Sequence, residues 1–165
     1  MPAPYNILIL CTGNSARSII GEALFNTLGA GRFRAFSAGS HPAGQVNPFA
    51  LEQVSAIGYP VEGLRSKSWD EFALPGAPPL HFVITVCDKA AGEVCPVWPG
   101  RPVTAHWGFP DPAAVQGADD EKRAAFAQTL LHMRRRVELF LSLPLEALDR
   151  LALEEQMRAI GRQPL

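Results

Sequence analysis

A chain of 165 residues is the length of one domain able to bury a substantial core without cross-links. Its 47 % apolar and 19 % charged residues exclude a disordered chain, and a formal charge of −1 gives no global field for nucleic acid or an anionic membrane. Three cysteines cannot close a disulfide framework, and no apolar run approaches the roughly 20 residues that span a bilayer.

The opening "MPAPYNILIL" has no basic region ahead of its apolar stretch, so no secretory leader is expected and the thiols are expected to stay reduced in the cytoplasm. Tyr5 to Leu10 is a continuous apolar run between Pro4 and a loop, the pattern of a buried parallel strand. From Ser18 to Leu28, Ile19, Ile20, Ala23, Leu24 and Leu28 fall at helical spacing and stop at Gly29 and Gly31. Phe33 to Ala38 reads as a second strand. "SAGSHPAGQVNP" is loop chemistry, after which Pro48 opens a helix to about Gly58. "SKSWDEF" predicts a short capped turn of helix, and "LPGAPP" breaks regular structure. His81 to Val86 and Val103 to Trp107 supply two more strands.

Asp119 to Leu141 predicts a long helix with acidic residues first, as the helix dipole favours; "RRR" at 134–136 reads as a solvated helix end. Pro144 to Ile160 predicts a last helix or a tail. The organisation expected is one domain, 1–165, with its core at about 5–142 and a C-terminal helix or tail at 144–165. Strands alternating with helices imply an α/β fold: a four-stranded parallel sheet with helices on both faces. Such sheets bind ligands beyond the carboxyl ends of their strands, where the strand order reverses.

"CTGNSARS" stands at that edge, between a strand and a helix N-terminus whose N–H groups lack helical partners. Gly13 permits a tight curl and Asn14 tolerates unusual backbone angles, while Ser15 and Ser18 offer hydroxyls. Arg17 adds a planar fork for two oxygens of a tetrahedral anion. Thr12, Gly13, Asn14, Ser15, Ala16, Arg17 and Ser18 are therefore the expected binding loop for phosphate, sulfate or arsenate. The helix end and the guanidinium are expected to depress the Cys11 thiol and leave a thiolate aimed at the anion's central atom.

These residues resemble the anion loop of the low-molecular-weight protein tyrosine phosphatase superfamily. The likeness runs on through "SAGS", Asn47–Pro48, "SKSWDEF", "VITVCD" and "HWGFPDP", roughly residues 5 to 140. Within the superfamily it is most similar to the thiol-dependent arsenate reductases. The resemblance implies that Asp111, followed by a proline, is the general acid for the leaving oxygen. His106 is expected to be a hydrogen-bonded strand-end residue, and Trp107 and Phe109 core or pocket wall. Asn14, Glu22 and Ser37 resemble a potassium site of part of the family, but Trp69 stands at the acidic position, with Asp70 beside it; the ion stays unassigned.

A phosphatase needs one thiolate, whereas a reductase must also supply two electrons. Cys87 follows the third strand as Cys11 follows the first. If those strands are neighbours, the two ends are about 4.8 Å apart, within reach of a disulfide after a modest shift. Cys95 lies at the far end of "VCDKAAGEVC", short enough to fold back onto Cys87, with Asp88 and Lys89 keeping the segment exposed. The implied activity is arsenate reduction by a Cys11–Cys87–Cys95 relay, with no tightly bound cofactor or metal. The electrons would come from an external thiol reductant, a thioredoxin or a glutaredoxin system. The alternatives are a tyrosine phosphatase working through a Cys11 phosphoenzyme, and a non-catalytic oxyanion-binding module. "DPAAV" lacks the tyrosines that commonly follow Asp-Pro in the phosphatases, and retention of Cys11, Arg17 and Asp111 argues against the binding module.

Overall fold

The structure, a computed structural model, describes residues 3–87, 98 and 100–165. Four parallel strands, β1 (Tyr5–Cys11), β2 (Phe33–Gly39), β3 (Phe82–Thr85) and β4 (Val103–His106), form a sheet in the order β2-β1-β3-β4. The described α-helices are α1 (Arg17–Leu28), α2 (Pro48–Ala56), α3 (Asp119–Leu141) and α4 (Arg150–Arg162). The chain steps from β1 to β2 in one direction and then returns to lay β3 on the other side of β1. The carboxyl ends of β1 and β3 thus flank the point where strand order reverses, and Cys11 and Cys87 stand there.

Strand β1 is central, and its apolar run reflects burial on both faces. Ile7, Ile9 and Cys11 join Phe82 and Ile84 against α1, α3 and α4, through Leu24, Phe25, Val137, Phe140 and Met157. Leu8, Leu10 and Val83 face the other way, onto Trp69, Phe72, Leu80 and Trp98. That second face is covered by a 3-10 helix at Trp69–Phe72, whose N-terminus is capped by Ser68 accepting from the Asp70 N–H. Each large side chain fully buried in these layers contributes about 1.5–3 kcal/mol. Asn47 caps α2, its Oδ1 accepting from Phe49 N at 2.9 Å, with Pro48 at the first helical position.

Two expectations are corrected. The last helix does not begin at Pro144: a 3-10 turn at Leu145–Ala147 comes first, and α4 starts at Arg150 because Asp149 Oδ1 caps it from the Ala152 N–H at 2.8 Å. This is a packed element, since Leu153, Met157 and Ile160 enter the main core. The "RRR" run is not wholly solvated either. Arg134 and Arg135 are exposed, but Arg136 is only 5 % exposed, because it shares the inward stripe of α3 with Met133, Val137 and Phe140. No described helix is long and apolar enough to cross a membrane.

Candidate active site

The loop after β1 is built by tying its carbonyls outward. Thr12 O accepts from His41 N (2.9 Å), Gly13 O from Ala43 N and Ser66 Oγ (both 2.9 Å), and Ser15 O from Asn47 N (2.8 Å). A trans peptide points its C=O and N–H in opposite directions, so the amides of Gly13, Asn14 and Ala16 turn toward the inside of the curl. Concentric N–H groups at a helix N-terminus form an anion cradle.

Asn14 is the pivot of that curl. It has φ 46°, the left-handed region, and no exposed surface. Its Nδ2 donates to Ser18 Oγ at 2.7 Å and its Oδ1 accepts from Lys67 N at 2.9 Å. The Asn14 side chain thus braces the loop from behind, and the Ser18 hydroxyl, which accepts from it, keeps its own proton to donate. Gly39 completes the support: a Cβ there would clash with Thr12 O and sit 2.9 Å from Cys11 O, so only glycine lets β2 pass behind the loop.

An open pocket of about 470 Å³ lies inside, lined by Cys11, Thr12, Gly13, Ser15, Ala16, Arg17, Cys87, Asp111 and Ala113. Cys11 is at the floor and buried, with Cys87 buried beside it, and both are thiols rather than a disulfide. Thr12 Oγ1 lies 3.5 Å from Cys87 Sγ. Arg17 opens α1, and its Nη1 donates to Phe109 O at 2.8 Å while Nη2 lies 3.8 Å from Asp111 Oδ2. Its Nε–H is buried and has no partner among the described residues. Asp111 stands at the rim, 44 % exposed, with Oδ1 accepting from Ala113 N at 3.0 Å and Oδ2 left facing Arg17.

The electrostatics of Cys11 differ from the expectation. Its hydrogen bond with the Cys87 thiol, then burial, push the Cys11 pKa well above the ordinary cysteine range; Arg17 and the Gly13 N–H pull down and lose. A neighbouring thiol, absent from the argument on the guanidinium alone, reverses the sign.

The residues that resembled a potassium site do not fit a bound cation. The Lys67 ammonium lies 3.9 Å from Glu22 Oε1, with both side chains almost buried. The Ser37 hydroxyl donates to the same oxygen at 2.6 Å, and the Asn14 amide oxygen is taken by Lys67 N. Trp69 is in the opposite-face core, and Asp70 is exposed. His106 is bonded to Thr85 Oγ1 at 2.8 Å, and Trp107 and Phe109 are core. Cys95, Asp88 and Lys89 lie outside the described residues. Reasoning on the sequence missed Lys67 and Ser66 as loop supports and Ala113 as pocket wall. Ser66 and Lys67 open the "SKSWDEF" stretch, read there only as a capped turn and part of the likeness, and Ala113 lies two residues past Asp111.

Residues 6–155 match the family described as low molecular weight phosphotyrosine protein phosphatase. The chain is 36 % identical over 134 residues to an arsenate reductase of Halalkalibacterium halodurans, covering 81 % of this chain and 93 % of that one. A solved arsenate reductase of Archaeoglobus fulgidus superposes with a TM-score of 0.58 at 26 % identity, over 80 % of this chain and 98 % of the other. A thioredoxin-dependent arsenate reductase of Corynebacterium glutamicum superposes with a TM-score of 0.60 at 25 % identity over 88 % of this chain, which spans 65 % of that longer protein. The chain belongs to the low molecular weight phosphotyrosine protein phosphatase family, and over most of its length it is similar to that family's arsenate reductases.

Proposed function

We propose that this chain reduces arsenate to arsenite through its own thiols. The observation that carries the reading is the second thiol in the pocket: Cys87 is hydrogen-bonded to Cys11 at the floor of an anion cradle, and phosphoryl hydrolysis has no use for it. Arsenate enters the amides of the 11–18 loop and the Arg17 fork. The Cys11 sulfur attacks arsenic while Asp111 protonates the departing hydroxyl, which leaves as water. The Cys11 thiol passes its proton to an oxygen of the bound arsenate as it attacks. Cys87 then attacks Cys11, giving its own proton to the Asp111 carboxylate and forming the S–S bond; the S–As electron pair passes to arsenic, which leaves as arsenite.

Cys95 is assigned as the resolving thiol, attacking Cys87 to regenerate Cys11 and move the disulfide to 87–95. An external dithiol reduces that bond, and the name of the Corynebacterium relative favours thioredoxin over a glutaredoxin system. No tightly bound cofactor or metal takes part. The test is arsenite production with thioredoxin, thioredoxin reductase and NADPH. Wild type is expected to turn over many times and Cys87→Ser not at all. Failure of wild type with both thioredoxin and glutaredoxin systems, together with aryl phosphate hydrolysis that survives Cys87→Ser, replaces this reading with the phosphatase one.

A further inference from the structure

The segment that carries Asp111 runs from Trp107 to Asp111, and the carbonyls of Gly108 and Phe109 and the rings of Trp107 and Phe109 are held from outside. Arg136 on α3 donates from Nη1 to Gly108 O at 3.0 Å and from Nη2 to Gln163 O at 2.9 Å, just past the end of α4. Its guanidinium carbon sits 4.6 Å from the centre of the Phe109 ring. The next carbonyl along, Phe109 O, is the one held by Arg17 from the anion pocket. Two guanidiniums thus grip consecutive carbonyls, Arg17 from the pocket and Arg136 from α3, which also holds the end of the C-terminal helix.

Helix α4 is locked to the same segment by two further contacts. The Trp107 indole donates to Met157 O at 2.9 Å, fully buried. Gly161 lets α4 come so close to β4 that a Cβ there would lie within bonding contact of His106 O and 2.7 Å from Trp107 Cδ1. Arg136 is 5 % exposed, and among the described residues no carboxylate pairs with it. A buried cation held only by two carbonyls and a ring is costly, and what it achieves is to fix one peptide relative to one helix end.

We propose that Arg136, bridging the end of α4 to Gly108, is a positioning residue that sets where Asp111 stands over the anion pocket. The proposal rests on the reading of Asp111 as the proton donor. It gives the C-terminal helix a part in the reaction although none of its residues lines the pocket. A carboxyl held at the wrong distance still allows anion binding in the 11–18 loop but donates its proton poorly.

The test is a double-mutant cycle on single-turnover arsenite formation by the pre-reduced full chain, which needs no external reductant. Arg136→Lys keeps the charge and stem but cannot span two carbonyls. It is expected to slow the step about tenfold, with the arsenate concentration at half-maximal rate changed less than about twofold. Asp111→Asn alone is expected to slow it about 100-fold. In the Asp111→Asn background, Arg136→Lys is expected to cost nothing further. Phe109→Leu removes the ring under the Arg136 guanidinium and serves if the arginine variant does not fold; its cost is expected to vanish in the same background. An undiminished tenfold loss in the Asp111→Asn background overturns the positioning role, as does a wild-type rate in both single variants. An Asp111→Asn protein that works at the wild-type rate overturns the acid assignment itself and, with it, what rests on it.

Discussion

The two loops that meet over the pocket are held by different means. The anion loop is fixed by short neighbours: backbone N–H groups of His41, Ala43 and Asn47 on its carbonyls, a left-handed Asn14 inside it, and Gly39 flat against its back. The Asp111 loop is tied by backbone at its start, where Trp107 N and Phe109 N donate to Thr85 O and Val86 O, but its carbonyls are held by long side chains. Arg17 and Arg136 reach from opposite sides to two adjacent ones. A backbone-clamped loop is stiff whatever surrounds it, whereas one hung on guanidiniums is placed by whatever places the arginines. Damage to the first is expected to appear as lost stability, and damage to the second as lost rate.

Gly39→Ala is the harshest way to test the stiff side. The added methyl meets backbone on both Thr12 and Cys11, which cannot swing away. A loss of about 3 kcal/mol is expected, seen as a fall of roughly 10 °C in the melting midpoint. A midpoint within a degree or two of wild type means that the loop is softer than this comparison says.

Asn14 separates conformation from bonding. Asn14→Ala loses both the αL preference and the bonds to Ser18 and Lys67, at a cost of about 2 kcal/mol. Asn14→Gly restores the backbone freedom and is expected to recover about 1 kcal/mol of it. Equal losses in urea unfolding would assign the whole effect to the side-chain bonds.

The gentlest probe is chemical. The Cys87 hydrogen bond is the largest cause raising the Cys11 pKa, so Cys87→Ala is expected to lower it. More thiolate is then present at pH 7, and iodoacetamide labels Cys11 several-fold faster than in wild type, with the pH midpoint of labelling moved down. Unchanged labelling makes Arg17 and the Gly13 N–H the dominant influence, and slower labelling means that the Cys87 thiol donates to the thiolate and stabilises it.

The sequence carried the stiff loop well, because what builds it is local. Cys11 at a strand end, Gly13 and Asn14 in the curl and Arg17 at the helix start fall within a few residues. Strand β1 could be read from its unbroken apolar run, and α3 from its period and acidic first turn. The arginine-hung loop was half legible: Asp111 showed itself through Asp-Pro, but nothing near it in the chain announces the carbonyls it depends on. Arg136 was hidden by its neighbours. In a row of three arginines the eye sees a charged face, although position 136 stands three residues after Met133 and four before Phe140, on the buried stripe. The sign of the Cys11 shift was also out of reach, since it depends on Cys87 being in hydrogen-bond contact across two strands. The restart of α4 at Arg150 was available in Asp149, an N-cap residue passed over in favour of Pro144.

Placing both thiols in one anion pocket moves the choice between arsenate and phosphate out of recognition and into commitment. The cradle measures a tetrahedron of charge, and the two anions present nearly the same one, so phosphate is expected to occupy the site readily. What differs is the fate of the bond to Cys11 once Cys87 attacks. Arsenic can keep the electron pair and leave reduced; phosphorus cannot, and the sulfur simply returns it to water. The enzyme so described need not exclude phosphate. Under the proposed relay the wrong anion comes and goes, at the cost of occupancy, and only the right one closes a disulfide behind it.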